Sequence, residues 1–567
     1  FLASNMPPTA TGIPEGTKAI DEEAFLPPIK AANGKQMAQF TEAPGNIDDF
    51  IQPGWYFARI LVASMLLCLT SLCGLMYMMF AGATPEVRGC GAMRFETTRD
   101  ACAARVPAND SFAGCSSNQL VLEHQFYSVN VEFGLVCEEA RAVKRSISWQ
   151  MAAVLIGALV GGQLSDLYGR RITLLGSLVG LTLFTAATAA VDSFAVFVAV
   201  RIVVGFFTGV VNAVSYVYVV ESIPRSTRLI VNSIVTWSPC FILFGLLAYA
   251  THDWRSLALA SAAVSAATFF FVGLQRESPR FLVHHGRIDE ARRLLRQMSG
   301  GKARDAQLER TLQKEKHIFE TSKRRRYTFV HLFCTWTMIR WSLTICLGVT
   351  VTSLMHYGII FNMEKMTGSL YLNTILMGAI RWMLNITVAA GDAAFACLGR
   401  KPIHFFSLLL ANACLFLVVV LIYSGAAVEW AFVVRTCSIA VATLCSQMYL
   451  SKYLSSAELY PTAVRNLGSS LVNTFSRLGT TAAPMLFYLT DVHPTLPYAT
   501  LLVLGLADMF AFQFCLPETK GRNLENHMPP KSQRLCFGSS RATETEVDED
   551  DDEDEEKEKA SEEALRN

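Results

Sequence analysis

Charge is scarce in this chain: Asp, Glu, Lys and Arg make up 17% of its 567 residues, against 52% hydrophobic residues. So little charge cannot cover the surface of a soluble protein of several domains, so the composition points to an all-α polytopic membrane protein. The sequence also lacks a Gly-x-x-x-x-Gly-Lys-Ser/Thr run, a nucleotide fingerprint, a Ser-His-Asp set and any zinc-ligand spacing. Neither an enzyme nor a bound metal or cofactor is expected. No cleavable leader is visible, and the chain begins at Phe1 rather than Met, which leaves the completeness of its start open. Net charge is nearly absent, at +1, because a basic segment near 276–326 offsets an acidic tail at 544–563. Both flank membrane spans, which argues against a nucleic-acid surface.

What the chain has instead is a series of apolar runs, each long enough at about 1.5 Å per residue to cross hydrocarbon. Six fall at about 59–82, 148–165, 172–191, 194–220, 229–250 and 255–274. Six more fall at about 340–361, 371–391, 403–424, 428–452, 464–489 and 495–515. The predicted organisation is a cytoplasmic segment (1–57), a six-helix bundle (58–274) that includes a polar loop (83–147), a cytoplasmic helical linker (275–337), a second six-helix bundle (338–516) and an acidic disordered tail (517–567). In the linker Ile288, Ala291, Leu294 and Leu295 recur at helical spacing beside Arg287, Arg292, Arg293 and Arg296, as in an amphipathic helix against headgroups. The acidic tail is open to cytosolic partners.

Orientation follows from the short loops. Arg170 with Arg171, Arg225 with Arg228, the linker, and Arg400 with Lys401 all fall on one side. The positive-inside rule makes that side, and both termini, cytoplasmic. The 83–147 loop then faces outward, in agreement with its Asn109-Asp110-Ser111 glycosylation sequon and its four cysteines, Cys90, Cys102, Cys115 and Cys137. These suggest disulfides, with three connectivities open.

The stretch 161–171, GGQLSDLYGRR, is the compact basic turn from which the rest is oriented. It also belongs to a repeat. Gly169-Arg170-Arg171 is matched by Gly399-Arg400-Lys401, Arg201 by Arg435, Glu221 through Arg228 by Glu458 through Arg465, and Glu277-Ser-Pro-Arg280 by Pro517-Glu518, at offsets between 230 and 241 residues. Duplicated bundles of like orientation can rock about a site near the midplane. The repeated charges are then cytoplasmic pairs that open and close with the inner side, or else caps that only enforce topology. The second copy has Ala396 where the first has Asp166, with Asp392 a turn earlier, so 161–171 is expected to be the dominant latch.

Gly162-x-Leu164-x-Asp166-x-x-Gly169-Arg170-Arg171 resembles the motif that follows the second helix in the major facilitator superfamily. Within it the chain most resembles the solute carrier 22 family, over about 55–525. The match rests on Glu132-Phe133 with Leu135 and Cys137 closing the long loop, on Glu277-Ser-Pro-Arg280, on Tyr357-Gly358, on Glu458-Leu-Tyr-Pro461 through Gly468, and on Pro517-Glu518-Thr-Lys520. The long four-Cys loop, and the lack of a Gln-Gln-x-Ser-Gly run in the seventh helix, favour this family over sugar carriers. The resemblance implies twelve helices in a major facilitator fold and transport by exchange or facilitated diffusion at the plasma membrane.

The resemblance also bears on substrate charge. Arg477 stands where the family's cation carriers have Asp and its anion carriers Arg. An unpaired Arg inside a span costs at least about 2.5 kcal/mol, so it is expected to face a cavity or a partner rather than lipid. In the eighth span Arg381 of Gly378-Ala-Ile-Arg381 replaces the family's usual acid, and Asn385 takes the place of the anion carriers' Lys. Trp237, Phe241, His356, Tyr357, Trp382 and Phe475 are the expected apolar and aromatic walls. The chain is read as a carrier of small organic anions. The rivals are an organic cation or zwitterion (carnitine-like) carrier of the same family, with Asp392 or Glu364 meeting the substrate, and a non-transporting receptor or scaffold on the same fold. The substrate, counter-ion and oligomeric state are not legible.

Overall fold

The structure is a computed structural model. It describes residues 50–51, 54–90, 93–95, 98–103, 105–106, 111–112, 120–223, 237–299, 307–313, 328–395, 398–461 and 464–520. Twelve helices of 15 residues or more occur among them. The first six are α1 (Trp55–Ala81), α2 (Ala140–Tyr168), α3 (Arg170–Thr188), α4 (Phe194–Ser222), α5 (Trp237–Thr251) and α6 (Trp254–Gly273). The second six are α7 (Trp336–Ile360), α8 (Leu370–Ala394), α9 (Arg400–Tyr423), α10 (Ala431–Leu459), α11 (Arg465–Leu486) and α12 (Leu496–Cys515). Ten are long and apolar enough to cross a membrane. Of the others, α5 has 15 described residues and α11 is diluted by Asn473, Ser476, Arg477 and their polar neighbours.

Small residues let the helices approach backbone to backbone. A Cβ on Gly205 of α4 would lie 2.5 Å from the Gln150 carbonyl of α2, and one on Gly209 would collide with the Val154 carbonyl. Such spacing replaces hydrophobic driving force with close packing, which is what a lipid solvent leaves available.

The polar loop is itself folded. Strand Glu86–Cys90 pairs antiparallel with Met93–Arg94 and with Leu120–Glu123. A disulfide joins Cys102 to Cys137 across a Cα separation of 5.6 Å. The Cys90 side chain, Cys115 and Asn109 lie outside the described residues. Glu132 ties the loop to α6, accepting from Trp254 Nε1 at 2.7 Å and Arg255 Nη2 at 2.6 Å.

Two spans are longer than their hydropathy predicts. Helix α2 starts at Ala140, eight residues early, and α10 runs on to Leu459, seven residues late. In each case charged residues extend the helix because they find partners: Lys144 bonds Glu364, and Glu458 bonds Arg400. In the linker, helix Ile288–Met298 buries Ala291, Leu294, Leu295 and Met298 against Phe50, Ile51, Leu308 and Leu312. Two of the linker's arginines are paired as well, Arg287 with Glu290 and Arg292 with Asp289 and Glu309.

The bundles α1–α6 and α7–α12 are joined by a dense set of bonds at the end carrying the 83–139 loop. Lys144 Nζ donates to Glu364 Oε1 at 2.9 Å and to the Phe361 carbonyl at 2.7 Å, while Thr84 donates twice to the same carboxylate. Gln125 accepts from Leu370 N and donates to the Gly368 carbonyl, and Tyr488 donates to the Arg141 carbonyl. The loop end is therefore closed.

Candidate functional site

Midway along the bundles, α5, α7, α8 and α10 converge on Arg381. Its Nη1 lies 3.2 Å from His356 Nε2, and its guanidinium carbon is 5.8 Å from the centroid of Phe241. On the far side of the imidazole, His356 Nδ1 lies 3.1 Å from the Ala442 carbonyl. A carbonyl can only accept and a guanidinium can only donate, so the ring carries its proton on Nδ1 and offers Nε2 as acceptor. The Nε of Arg381 is buried without a partner, and no carboxylate pairs with the side chain among the described residues. The arginine thus keeps donors in reserve in a nearly apolar setting.

One turn along α8, Asn385 is a hub. Its Oδ1 accepts from Gln447 Nε2 at 2.7 Å and Ser446 Oγ at 3.0 Å, and its Nδ2 donates to Ser238 Oγ on α5 at 3.3 Å. These bonds bridge the two bundles at mid-depth. Sequence reasoning placed Asn385 only as an absent lysine and missed Ser238, Ser446 and Gln447, because short polar residues at interhelical contacts carry no motif.

Arg477 does not touch Arg381. It lies half-buried on α11 and has no ion pair among the described residues. An aromatic series runs between them: His356 packs on Tyr449 with centroids 6.0 Å apart, and Tyr449 stacks on Tyr453 at 6.2 Å. Tyr453 in turn donates its hydroxyl to Asn473 Oδ1 of α11 at 2.9 Å, one turn from Arg477. Tyr357 lies edge-on to His356 at 5.2 Å. Tyr449 and Tyr453 were not foreseen. They recur at i, i+4 on α10 beside Cys445, and that helical stripe was the available signal.

Other expected wall residues are placed differently. Phe475 packs inside the second bundle with Val349, Leu459 and Phe512, and its carbonyl accepts from Thr350 Oγ1. Trp237 lies against the main apolar core, and Trp382 buries an indole N–H without a partner.

At the opposite, basic end the repeat is visible atom by atom. Glu277 accepts the backbone N–H groups of Arg170 and Arg171, each at 3.1 Å. Glu518 accepts those of Arg400 and Lys401 at 2.9 and 3.0 Å. In each half a carboxylate from beyond the last helix caps the first turn of α3 or α9, where the helix dipole favours it. Burial raises the Glu518 carboxyl, but the N–H groups of Lys520, Arg400, Lys401 and Thr519 outweigh it and hold it below the usual range.

With the loop end closed, the described charge pairs at the basic end lie within one bundle. Arg170 pairs with Asp166 at 2.8 Å and Glu221 at 3.3 Å; Arg400 pairs with Asp392 and Glu458, both at 2.9 Å. Among the described residues the acid of 161–171 is the less tightly held of the two. Asp166 is 71% exposed and has one ion-pair partner among the described residues, whereas Asp392 is 25% exposed and also holds Lys520 at 3.0 Å. Arg228 lies outside the described residues. Among the described residues its counterpart Arg465 leaves Nε and Nη2 buried without partners instead of meeting Glu458. Arg201 is not at the basic end: it is buried in the first bundle, bonded to Gln150 Oε1 and the Gly74 carbonyl and stacked over Tyr77 at 4.2 Å. Its match Arg435 lies against Gly368, and Arg280 belongs to the short helix Pro279–His284.

Comparison with known proteins agrees with this architecture. The family model "Sugar (and other) transporter" matches residues 122–528. Human solute carrier family 22 member 13 is 28% identical over 418 residues, 71% of each chain, and zebrafish (Danio rerio) solute carrier family 22 member 6 is 29% identical over 416 residues, 70% of each. The Drosophila melanogaster organic cation transporter-like protein is 27% identical over 456 residues, 77% of this chain and 78% of its own. The inward-open xylose transporter XylE from E. coli superposes with a TM-score of 0.58 at 17% identity, covering 82% of this chain and 98% of its own. With the matched model covering most of its length and twelve helices in that fold, the chain belongs to the sugar (and other) transporter family, multi-pass membrane carriers of major facilitator fold and not enzymes.

Proposed function

We propose that the protein carries small organic anions across the plasma membrane by alternating access, with the loop end outside and the basic end in the cytoplasm. The observation that carries this reading is the pairing of charges. Arg381 and Arg477 meet no carboxylate among the described residues, whereas the two acids able to serve a cation are engaged, Glu364 by Lys144 and Asp392 by Arg400 and Lys520. A guanidinium in a dry setting takes a carboxylate or sulfonate through charge-assisted bonds and repels a cation. His356 fixes Arg381 through one bond and leaves its other donors for cargo, while Phe241, Tyr357 and Tyr449 suit an aromatic body.

The test is uptake of a labelled aromatic carboxylate against a labelled quaternary ammonium. The carboxylate is expected to be taken up, and Arg381→Ala or Arg477→Asp should weaken its binding by about 10- to 150-fold, the loss of about 1.5–3 kcal/mol for a charged hydrogen bond. Uptake of only the ammonium compound would refute the reading and favour a cation carrier, the substrate class printed in the name of the fly relative.

A further inference from the structure

The second bundle buries a second polar cluster that the anion site does not use. Lys452 of α10 is 0% exposed, and its Nζ donates to Asp508 Oδ2 of α12 at 2.5 Å, Thr352 Oγ1 of α7 at 2.6 Å and the Gly348 carbonyl at 2.7 Å. His404 of α9 brings its Nε2 to 3.6 Å from the same Asp508 Oδ2 and stacks on Phe512 at 3.8 Å. Both ring nitrogens of His404 and Oδ1 of Asp508 are buried without a hydrogen-bond partner. Space for the cluster is made by Gly348, where a Cβ would strike Asp508 Oδ1 and sit 3.0 Å from Lys452 Cε.

A buried Lys–Asp pair gains little stability over apolar residues of similar size. Ionisable groups inside a membrane are a functional site by default. No charged side chain other than these three is described facing the cluster from α7, α9 or α12. On α10 itself, the buried thiol of Cys445 lies two turns before Lys452.

We propose that His404, Asp508 and Lys452 form a proton-binding site that couples proton movement to cargo movement. At 3.6 Å the imidazole makes no hydrogen bond to Asp508, so the conformation with the loop end closed holds the proton-free cluster: neutral His404 beside a neutralised Lys452–Asp508 pair. A proton added to the vacant ring nitrogen makes an imidazolium that donates from Nε2 to Asp508 Oδ2 and competes there with Lys452 Nζ. The cluster then carries one positive charge, and loss of the proton restores the present arrangement. The competition reaches both ends of the bundle. Thr352 is one turn before His356 on α7, and His404 is one turn after Arg400 on α9. A proton moving inward with an organic anion offsets its charge, so this mode of coupling rests on the anion-carrier reading.

The purified protein, in proteoliposomes, is titrated by infrared difference spectroscopy from about pH 8 to pH 4, the range of histidine in proteins. An imidazole band absent in His404→Gln, with an Asp508 carboxylate shift, is expected. Wild-type spectra lacking any imidazole or buried-carboxylate change would overturn the site without recourse to a variant. Influx of a labelled aromatic sulfonate, whose charge is constant over that range, is then measured with acid outside. It should rise by up to about tenfold per pH unit, the limit for one proton, and the rise should vanish in His404→Gln. Sulfonate influx indifferent to pH would overturn the coupling. No sulfonate or carboxylate influx, with the infrared bands intact, would refute the anion reading and leave the proton site standing.

Discussion

At Gly169 a single missing Cβ decides how the first half of the molecule is held. Its φ is +109°, a region L side chains rarely adopt, and a Cβ there would lie 2.6 Å from Glu277 Oε2. Gly399 has an ordinary φ of −88°, but a Cβ would come within 2.5 Å of the Glu518 carboxylate. Gly169→Ala therefore meets strain and collision together, and roughly 1–3 kcal/mol of stability should be lost. Gly399→Ala meets collision alone and should lose less. Thermal unfolding in detergent compares the two, and an equal or reversed order would show that backbone strain is not what sets the difference. The importance of Gly169 was legible from its motif. Its reason was not, since the carboxylate that occupies its Cβ space comes from more than 100 residues further along the chain.

The short elements at the basic end show what a repeat can and cannot reveal. The spacing of Glu221 and Glu458 correctly marked equivalent positions, and each carboxylate meets the arginine at the start of α3 or α9 in its own bundle. Which copy is stronger depended on a detail outside the motif. Lys520 follows Glu518 and donates to the carbonyls of Asp392, Phe395 and Leu398, closing the end of α8 while also pairing with Asp392. Among the described residues, Asp392→Asn removes two ion pairs from a partly buried acid and Asp166→Asn removes one from an exposed acid, where surface pairs contribute about 0–1 kcal/mol. The Asp392 variant should therefore lower the unfolding temperature and slow exchange flux much more than the Asp166 variant. Equal losses would mean that the number of partners is irrelevant to the anchor.

At the scale of the whole molecule, the bonds around Lys144 and Glu364 decide which end is shut. The pair is nearly dry, with side-chain exposures of 11% and 7%, and breaking such a pair leaves a buried charge. Glu364→Gln should move the population toward a state open at the loop end, read as greater labelling of a cysteine placed at Gln125 by a membrane-impermeant thiol reagent and as longer spin-label distances between the two bundles there. Unchanged labelling and distances would mean that the end stays closed without the Gln125 and Glu364 bonds, held by contacts such as that of Tyr488 with the Arg141 carbonyl. The sequence by itself determined the twelve spans, the six-plus-six division, the basic side and the major facilitator fold, because each is written in local hydropathy, loop charge or a contiguous motif. It also exposed Arg381 and Arg477, since an arginine in an apolar run stands out. Only the tertiary structure decided which charges meet: that Arg201 stacks on Tyr77, that Arg170 meets Glu221 and Arg400 meets Glu458, and that Lys452, Asp508 and His404 form one cluster. Such meetings depend on helix rotation and crossing distance, which no stretch of one helix encodes.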